Sequence, residues 1–115
     1  MFFKKKGKEA NIYDNFLFQL DMIERALMEL KKGNISKNDL IKEVQDKRNW
    51  AYRTAQNRTE TDPSEYRDII NYIIVFYQDL ESYIEGEKQT AKQLDDYIKR
   101  IEEIKRLINK KNNSQ

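Results

Sequence analysis

Residues 66–84 read YRDIINYIIVFYQDLESYI, and they hold more apolar surface than one buried face of a helix can use. Tyr66, Ile69, Ile70, Ile73, Ile74, Tyr77, Leu80 and Ile84 recur at the three-and-four spacing of a core-facing stripe. Tyr72, Val75, Phe76 and Tyr83 fall on other faces of the same helix. A helix that is apolar nearly all round is either wedged between neighbours or has a second partner. The stretch therefore points to an all-α domain, and to association in place of chemistry.

On its upstream side stands Asp62-Pro63-Ser64-Glu65. An N-cap acid, a proline at the first helical position and a glutamate at the third together start a helix there. This helix is expected to run to about Glu85. Downstream, Gly86 allows two readings. Thr90 and Gln93 resemble a capping box, which favours a break between Glu85 and Thr90. Otherwise segments three and four fuse into one long helix through a costly interior glycine, giving a three-helix or intertwined architecture.

Beyond the break, Leu94, Tyr97, Ile98, Ile101, Ile104 and Ile108 define a fourth helix to about Asn109. Asp95–Lys99, Asp96–Arg100 and Glu102–Arg106 are acid-before-base pairs four residues apart, each adding a few tenths of a kcal/mol. Toward the N-terminus, Ile12, Phe16, Leu20, Ile23, Leu27 and Leu30 form the stripe of a first helix over 10–32. Lys31-Lys32-Gly33-Asn34 ends it, with cations on the negative dipole end and a glycine free to turn left-handed. Ser36 with Asp39 opens a second helix to about Asn57, and 57–62 reads as a loop. The second helix has a thin stripe of Leu40, Ile41, Val44, Ala51 and Ala55; the two alanines allow close approach of a bulkier neighbour. Helices of about 20 residues with short links predict an antiparallel up-down-up-down four-helix bundle. It forms one domain over 10–109, between a flexible basic tail (1–9) and a second tail (110–115).

The composition agrees. Apolar residues are 38% and charged residues 37% of the chain, the balance slender, surface-rich helices need, and one proline and three glycines are too few for an all-β fold. No cysteine is present, which excludes disulfides and thiolate metal sites and fits a reducing cytoplasm. No histidine is present either, which removes the commonest general base, zinc ligand and pH switch. No run approaches the roughly 20 apolar residues of a membrane span. Phe2 and Phe3 beside Lys4, Lys5, Lys6 and Lys8 support at most a weak peripheral membrane contact. Net charge is +2, divided as +5 over 1–58 and −3 over 59–115, enough to steer a partner but too little to require nucleic acid. The abundance of Ile, Lys and Asn, all AT-rich codons, suggests a low-GC bacterium or a phage or mobile element living in one.

Candidate chemistry is sparse. Di-iron bundles need inward Glu-x-x-His motifs, which a chain without histidine cannot supply. The carboxylates Asp95–Asp96 and Glu102–Glu103 lie among lysines and arginines, as a solvated, salt-bridged face does. No Gly-Lys-Ser/Thr phosphate loop occurs. The expectation is a non-enzyme without metal or cofactor. A nucleic-acid surface is a second candidate, because residues 47–58 hold Lys47, Arg48, Arg53 and Arg58 with no acid, interleaved with Trp50 and Tyr52. These side chains do not share one helical face, however; Arg48 falls in the apolar arc, where it would snorkel or pair with an acid on a neighbour. The leading candidate is a partner interface. Tyr72, Phe76 and Tyr83 follow one stripe at i, i+4 and i+11, and Phe18 and Met22 point away from the core stripe of the first helix. The alternative is a skewed bundle that buries them internally. Self-association and a foreign protein partner are equally open.

In size, helicity and basic ends the chain is similar to small cytoplasmic bundles of low-GC bacteria and their phages, including bacteriocin immunity proteins and phage-encoded inhibitors. The resemblance covers architecture only and assigns no residue a role, since fold does not imply function; the expectation from the residues is a non-catalytic, cytoplasmic interaction protein from a phage or mobile element.

Overall fold

In the computed structural model, residues 12–58 and 64–113 are described. Among them the chain forms four helices and no strand: α1 (Ile12–Lys32), α2 (Lys37–Arg58), α3 (Ser64–Glu85) and α4 (Ala91–Asn113). The expected basic tail with Phe2 and Phe3, the helix start at Ala10 and the Asp62-Pro63 cap lie outside the described residues, as do the side chains of Arg58 and Tyr66.

The helix ends follow local chemistry. At the end of α1, Gly33 has φ of 81°. Its N–H donates to Leu30 O at 3.0 Å, and Asn34 N–H donates to Glu29 O at 2.8 Å. This pair of bonds satisfies carbonyls that the helix end would otherwise orphan. Asp39 N–H donates to Ser36 Oγ at 3.1 Å, and Ser36 N–H donates back to Asp39 Oδ2 at 3.3 Å, so α2 opens on a reciprocal cap.

Fusion of α3 and α4 does not occur. The chain leaves the helix after Glu85, and Gln93 N–H donates to Thr90 Oγ1 at 3.1 Å to start α4. Gln89 Nε2 donates to the carbonyls of Tyr83, Ile84 and Gly86 at 2.8–3.2 Å, supplying partners to the last turn of α3. At its other end α4 continues through 110–113, past the Asn109 limit of the apolar repeat. Lys110 and Lys111 there complement the helix dipole, and Asn112 Nδ2 donates to Asp14 Oδ1 on α1 at 3.3 Å.

Each helix packs on two others. α2 lies most extensively on α3 and α1 on α4; α1 also meets α2, and α3 meets α4 only slightly. The core runs down the centre from Leu20, Ile23 and Leu27 through Leu40 and Val44 to Ile73, Leu80, Ile101 and Ile108, all fully buried. Ala51 is fully buried too, consistent with the extensive seat of α3 on α2.

Polar pairs stitch the seams. Between α1 and α4, Lys31 Nζ donates to Asp95 at 2.6 Å, and Lys105 Nζ donates to Asp21 and, at 2.9 Å, to Glu24. Between α2 and α3, Lys37 Nζ reaches Gly86 O at 2.7 Å, Gln45 Nε2 reaches Glu81 at 2.7 Å, and Gln78 Nε2 reaches Tyr52 Oη at 2.5 Å. The α1/α2 seam is marked by Phe16 and Trp50, edge to face with centroids 5.1 Å apart. No described helix is long and apolar enough to cross a membrane.

Candidate interaction surfaces

The five residues expected at a partner interface separate into an inner and an outer set. Phe76 is fully buried. Its ring lies 5.8 Å from that of Tyr77 and 6.2 Å from that of Tyr97 on α4, with the Arg100 guanidinium 5.0 Å from its centroid. Tyr83 is half-buried and stacks on Tyr97 at 4.9 Å. Its hydroxyl donates to Gln93 Oε1 at 2.8 Å and accepts from Thr90 N–H at 3.2 Å. Phe76 and Tyr83 therefore make the joint between α3 and α4; Phe76 offers no free face to a partner, while Tyr83 keeps part of its surface exposed. The correction has a plain cause: Tyr97 and Arg100 of α4 reach over a flank of α3 that the helical repeat alone assigns to solvent.

The outer set is Phe18, Met22 and Tyr72. Phe18 is 63% exposed and Tyr72 46%, while Met22 is half-buried. They lie on two different surfaces, since the α1 and α3 backbones make no close approach.

The first surface is the outer edge of α1 and its seam with α2. Phe18, Met22, Arg25 and Glu29 recur at i, i+4, i+7 and i+11, so one stripe leads from the exposed ring into a groove of about 520 Å³. Ala26 and Ile35, both half-buried, form the apolar part of that groove. Glu29, Asp39, Glu43 and Asp46 bring four carboxylates to its lining, against the two cations Arg25 and Lys42.

The second surface is the lower half of the α3/α4 seam, a groove of about 520 Å³ lined by Tyr72, Glu103, Arg106, Leu107 and Lys110. Leu107 is 44% exposed, and Val75, one turn along α3 from Tyr72, is 59% exposed. Sequence reasoning recognised Val75 as surplus but placed Leu107 in no interface. The signal for Leu107 was its position outside the stripe of Ile101, Ile104 and Ile108.

The basic segment of α2 is largely committed to the bundle. Lys47 is buried, with Nζ donating to Glu43 at 3.0 Å and Asp46 at 3.2 Å. Burial alone would lower its pKa, but the hydrogen bonds and charges of the two acids outweigh that and raise it. Arg48 pairs across the α2/α3 seam with Glu81, itself nearly buried, so the expected pairing with a neighbouring acid is the one found. Arg53 is exposed. Of the four cations proposed for nucleic acid, two are thus turned inward and paired with carboxylates, Arg53 alone is described as facing solvent, and the Arg58 side chain lies outside the description. Among the described residues, no group of three or more acids is placed to hold a metal ion.

The chain has no match among protein-family models, curated proteins or solved structures.

Proposed function

We propose that this chain is a non-catalytic helical interaction module, binding a protein partner along the outer edge of α1 and acting by occlusion or scaffolding. One observation carries the reading: the Phe18 ring stands 63% exposed on a helix whose Phe16, Leu20, Ile23 and Leu27 are already buried to 1% or less. The core has no use for it. Large exposed aromatics are among the side chains enriched in the cores of protein interfaces. Met22 extends the stripe with an adaptable thioether. The carboxylates of the adjoining groove favour a partner surface that mixes apolar and basic side chains.

The bundle presenting this edge is inferred to be an antiparallel up-down-up-down one. Three sets of pairs support it. Partners on α4 rise from Asp95 through Lys105 to Asn112 as α1 is followed back from Lys31 through Asp21 to Asp14. From the turn after α3 back along that helix they fall from Gly86 through Glu81 to Gln78 as α2 advances from Lys37 through Arg48 to Tyr52. Tyr83 meets Gln93 while Asp79 meets Tyr97.

The test is capture from a low-GC bacterial lysate by the immobilised chain, followed by binding of the captured protein in purified form. Phe18→Glu is expected to abolish that binding with helicity unchanged. Binding indifferent to Phe18→Glu, or no captured protein at all, would remove the assignment. Phe76→Glu is not a usable probe, since it would place a charge in the core.

A further inference from the structure

The link between α3 and α4 is a hinge, and we infer that it opens to let this chain exchange α4 with a second copy, making an intertwined dimer. This goes beyond the partner reading and rests on the antiparallel helix order inferred above. In the exchanged form 64–113 is one continuous helix, and α4 of each copy seats on α1 and α3 of the other.

The packing singles out α4 as the element exchanged. It lies extensively on α1 and only slightly on α3, the helix it follows in the chain. Its polar ties also run largely to α1: Asp95 to Lys31, Lys105 to Asp21 and Glu24, and Asn112 to Asp14. These pairs re-form with the other copy, as do the Arg100–Asp79 and Tyr97–Tyr83 contacts. The core is then the same in both forms, and the difference lies at the link.

The link suits either form. Of Gly86, Glu87, Lys88, Gln89 and Thr90, the middle three are good helix formers and none is proline. Gly86, unlike Gly33, does not have a positive φ. In the closed turn Gln89 Nε2 donates to the carbonyls of Tyr83, Ile84 and Gly86. A continuing helix gives those same three carbonyls the N–H groups of Glu87, Lys88 and Thr90. Thr90 N–H leaves Tyr83 Oη for Gly86 O, and Gln93 N–H leaves Thr90 Oγ1 for Gln89 O. Opening gives up the exposed bond from Lys37 to Gly86 O and places one glycine inside a helix. A short link with so small a difference between its two states is the setting in which helices exchange.

Molar mass by size-exclusion chromatography with light scattering, on the full chain from micromolar to millimolar concentration, tests the exchange. Wild type is expected to move from the 13.9 kDa of one chain toward twice that mass as concentration rises. Gly86→Ala should strengthen dimerisation about tenfold or more, because each copy loses an interior helix glycine. A Cβ there would also stand 3.2 Å from Tyr83 O in the closed turn. Lys88→Pro should be a monomer with unchanged circular dichroism, since residue 88 lies outside both closed-form helices but inside the continuous one. Phe18→Glu should leave the dimer intact.

A second readout separates exchange from side-by-side association. The chain has no cysteine, so Asn71→Cys/Arg106→Cys carries donor and acceptor dyes at those two sites alone. In the closed form the sites are near, since Tyr72 and Arg106 line one groove. In the continuous helix they stand about 52 Å apart. Energy transfer within a labelled chain, diluted into unlabelled protein, should therefore be high in the monomer and low in the dimer.

Wild type and Gly86→Ala both monomeric at millimolar concentration would overturn the proposal. So would a dimer with undiminished energy transfer, Lys88→Pro dimerising as well as wild type, or a dimer dissolved by Phe18→Glu. A monomer that still binds a captured protein through Phe18 would refute the exchange alone. An exchanged dimer that captures nothing would refute the partner reading alone.

Discussion

The two halves of the α3/α4 seam begin from the same kind of sequence and end differently. In the half near the inter-helix turn, Phe76 and Tyr83 are covered by Tyr97, and Arg100 lies over both the Phe76 and Tyr97 rings at 5.0 and 5.1 Å. Asp79 holds the Arg100 guanidinium at 2.6 Å and accepts from the Tyr97 hydroxyl at 3.2 Å. In the other half Tyr72 and Leu107 remain 46% and 44% exposed beside an open groove. Tyr72 and Phe76 are four residues apart on one helix, and 100° per residue puts them only about 40° apart around it. The neighbour decides the outcome. Opposite Phe76, α4 offers an aromatic ring and a cation, whereas along Tyr72 it offers the exposed charged residues Glu103, Arg106 and Lys110.

The largest effect that tests this contrast is on stability. Phe76→Ala should cost about 3–5 kcal/mol, because it leaves a cavity under Tyr97 and Arg100. Tyr72→Ala, measured by urea unfolding in dilute solution, should stay within about 0.5 kcal/mol of wild type. Equal losses at the two positions would mean that the seam is closed along its whole length.

A smaller loss is expected from Arg100→Ala, about 1 kcal/mol, because the side chain is partly exposed and its contribution is divided between the rings and Asp79. The same substitution should weaken the near-ultraviolet circular dichroism of the folded protein, since it releases the Tyr97 ring. No change in that signal would show that Tyr83 alone holds Tyr97.

The smallest effect concerns Tyr77, which faces the core beside Phe76 with its hydroxyl buried and without a hydrogen-bond partner. Tyr77→Phe should be neutral or stabilising by up to about 1 kcal/mol, since it removes an unsatisfied buried group. It should also change the alkaline response. Burial raises the Tyr77 pKa well above the usual phenol range. That of Tyr97 is raised by burial and by Asp79, with Arg100 opposing. Lys47 and Lys105 are raised as well, their acid partners outweighing burial. Unfolded tyrosine and lysine lose their protons near about pH 10 and 10.4. Above those values the unfolded chain holds fewer protons than the folded one, so stability is intact below about pH 10 and falls as pH rises through the folded values. A melting temperature that holds steady above about pH 10 would contradict this, and Tyr77→Phe should make the fall shallower.

Much of the architecture was legible from local chemistry. The Gly33 stop, the Ser36/Asp39 and Thr90/Gln93 caps and the break after Glu85 all rest on backbone groups that must be satisfied within a few residues of the signal. The place of Arg48 was legible in part, because a cation in an apolar arc either snorkels or pairs with an acid, and the pair with Glu81 is the outcome found. The burial of Lys47 was not: Glu43 stands four residues before it at pairing distance, but that spacing does not say that the paired ammonium is covered by the bundle. The exposed α1 edge was found from spacing. The α3/α4 groove was found only in part, because Leu107 becomes an interface candidate only once Tyr72 stands beside it.

By itself, then, the order of residues determines four helices, the turns between α1 and α2 and between α3 and α4, and the central stripes, because these follow from 3.6-residue periodicity and from caps that act over a single turn. What fills the flanks of those stripes was decided only by tertiary structure. Phe76 is inside, Tyr83 half-covered and Phe18 and Tyr72 outside because burial of a flank depends on the size and charge of side chains on another helix, distant along the chain.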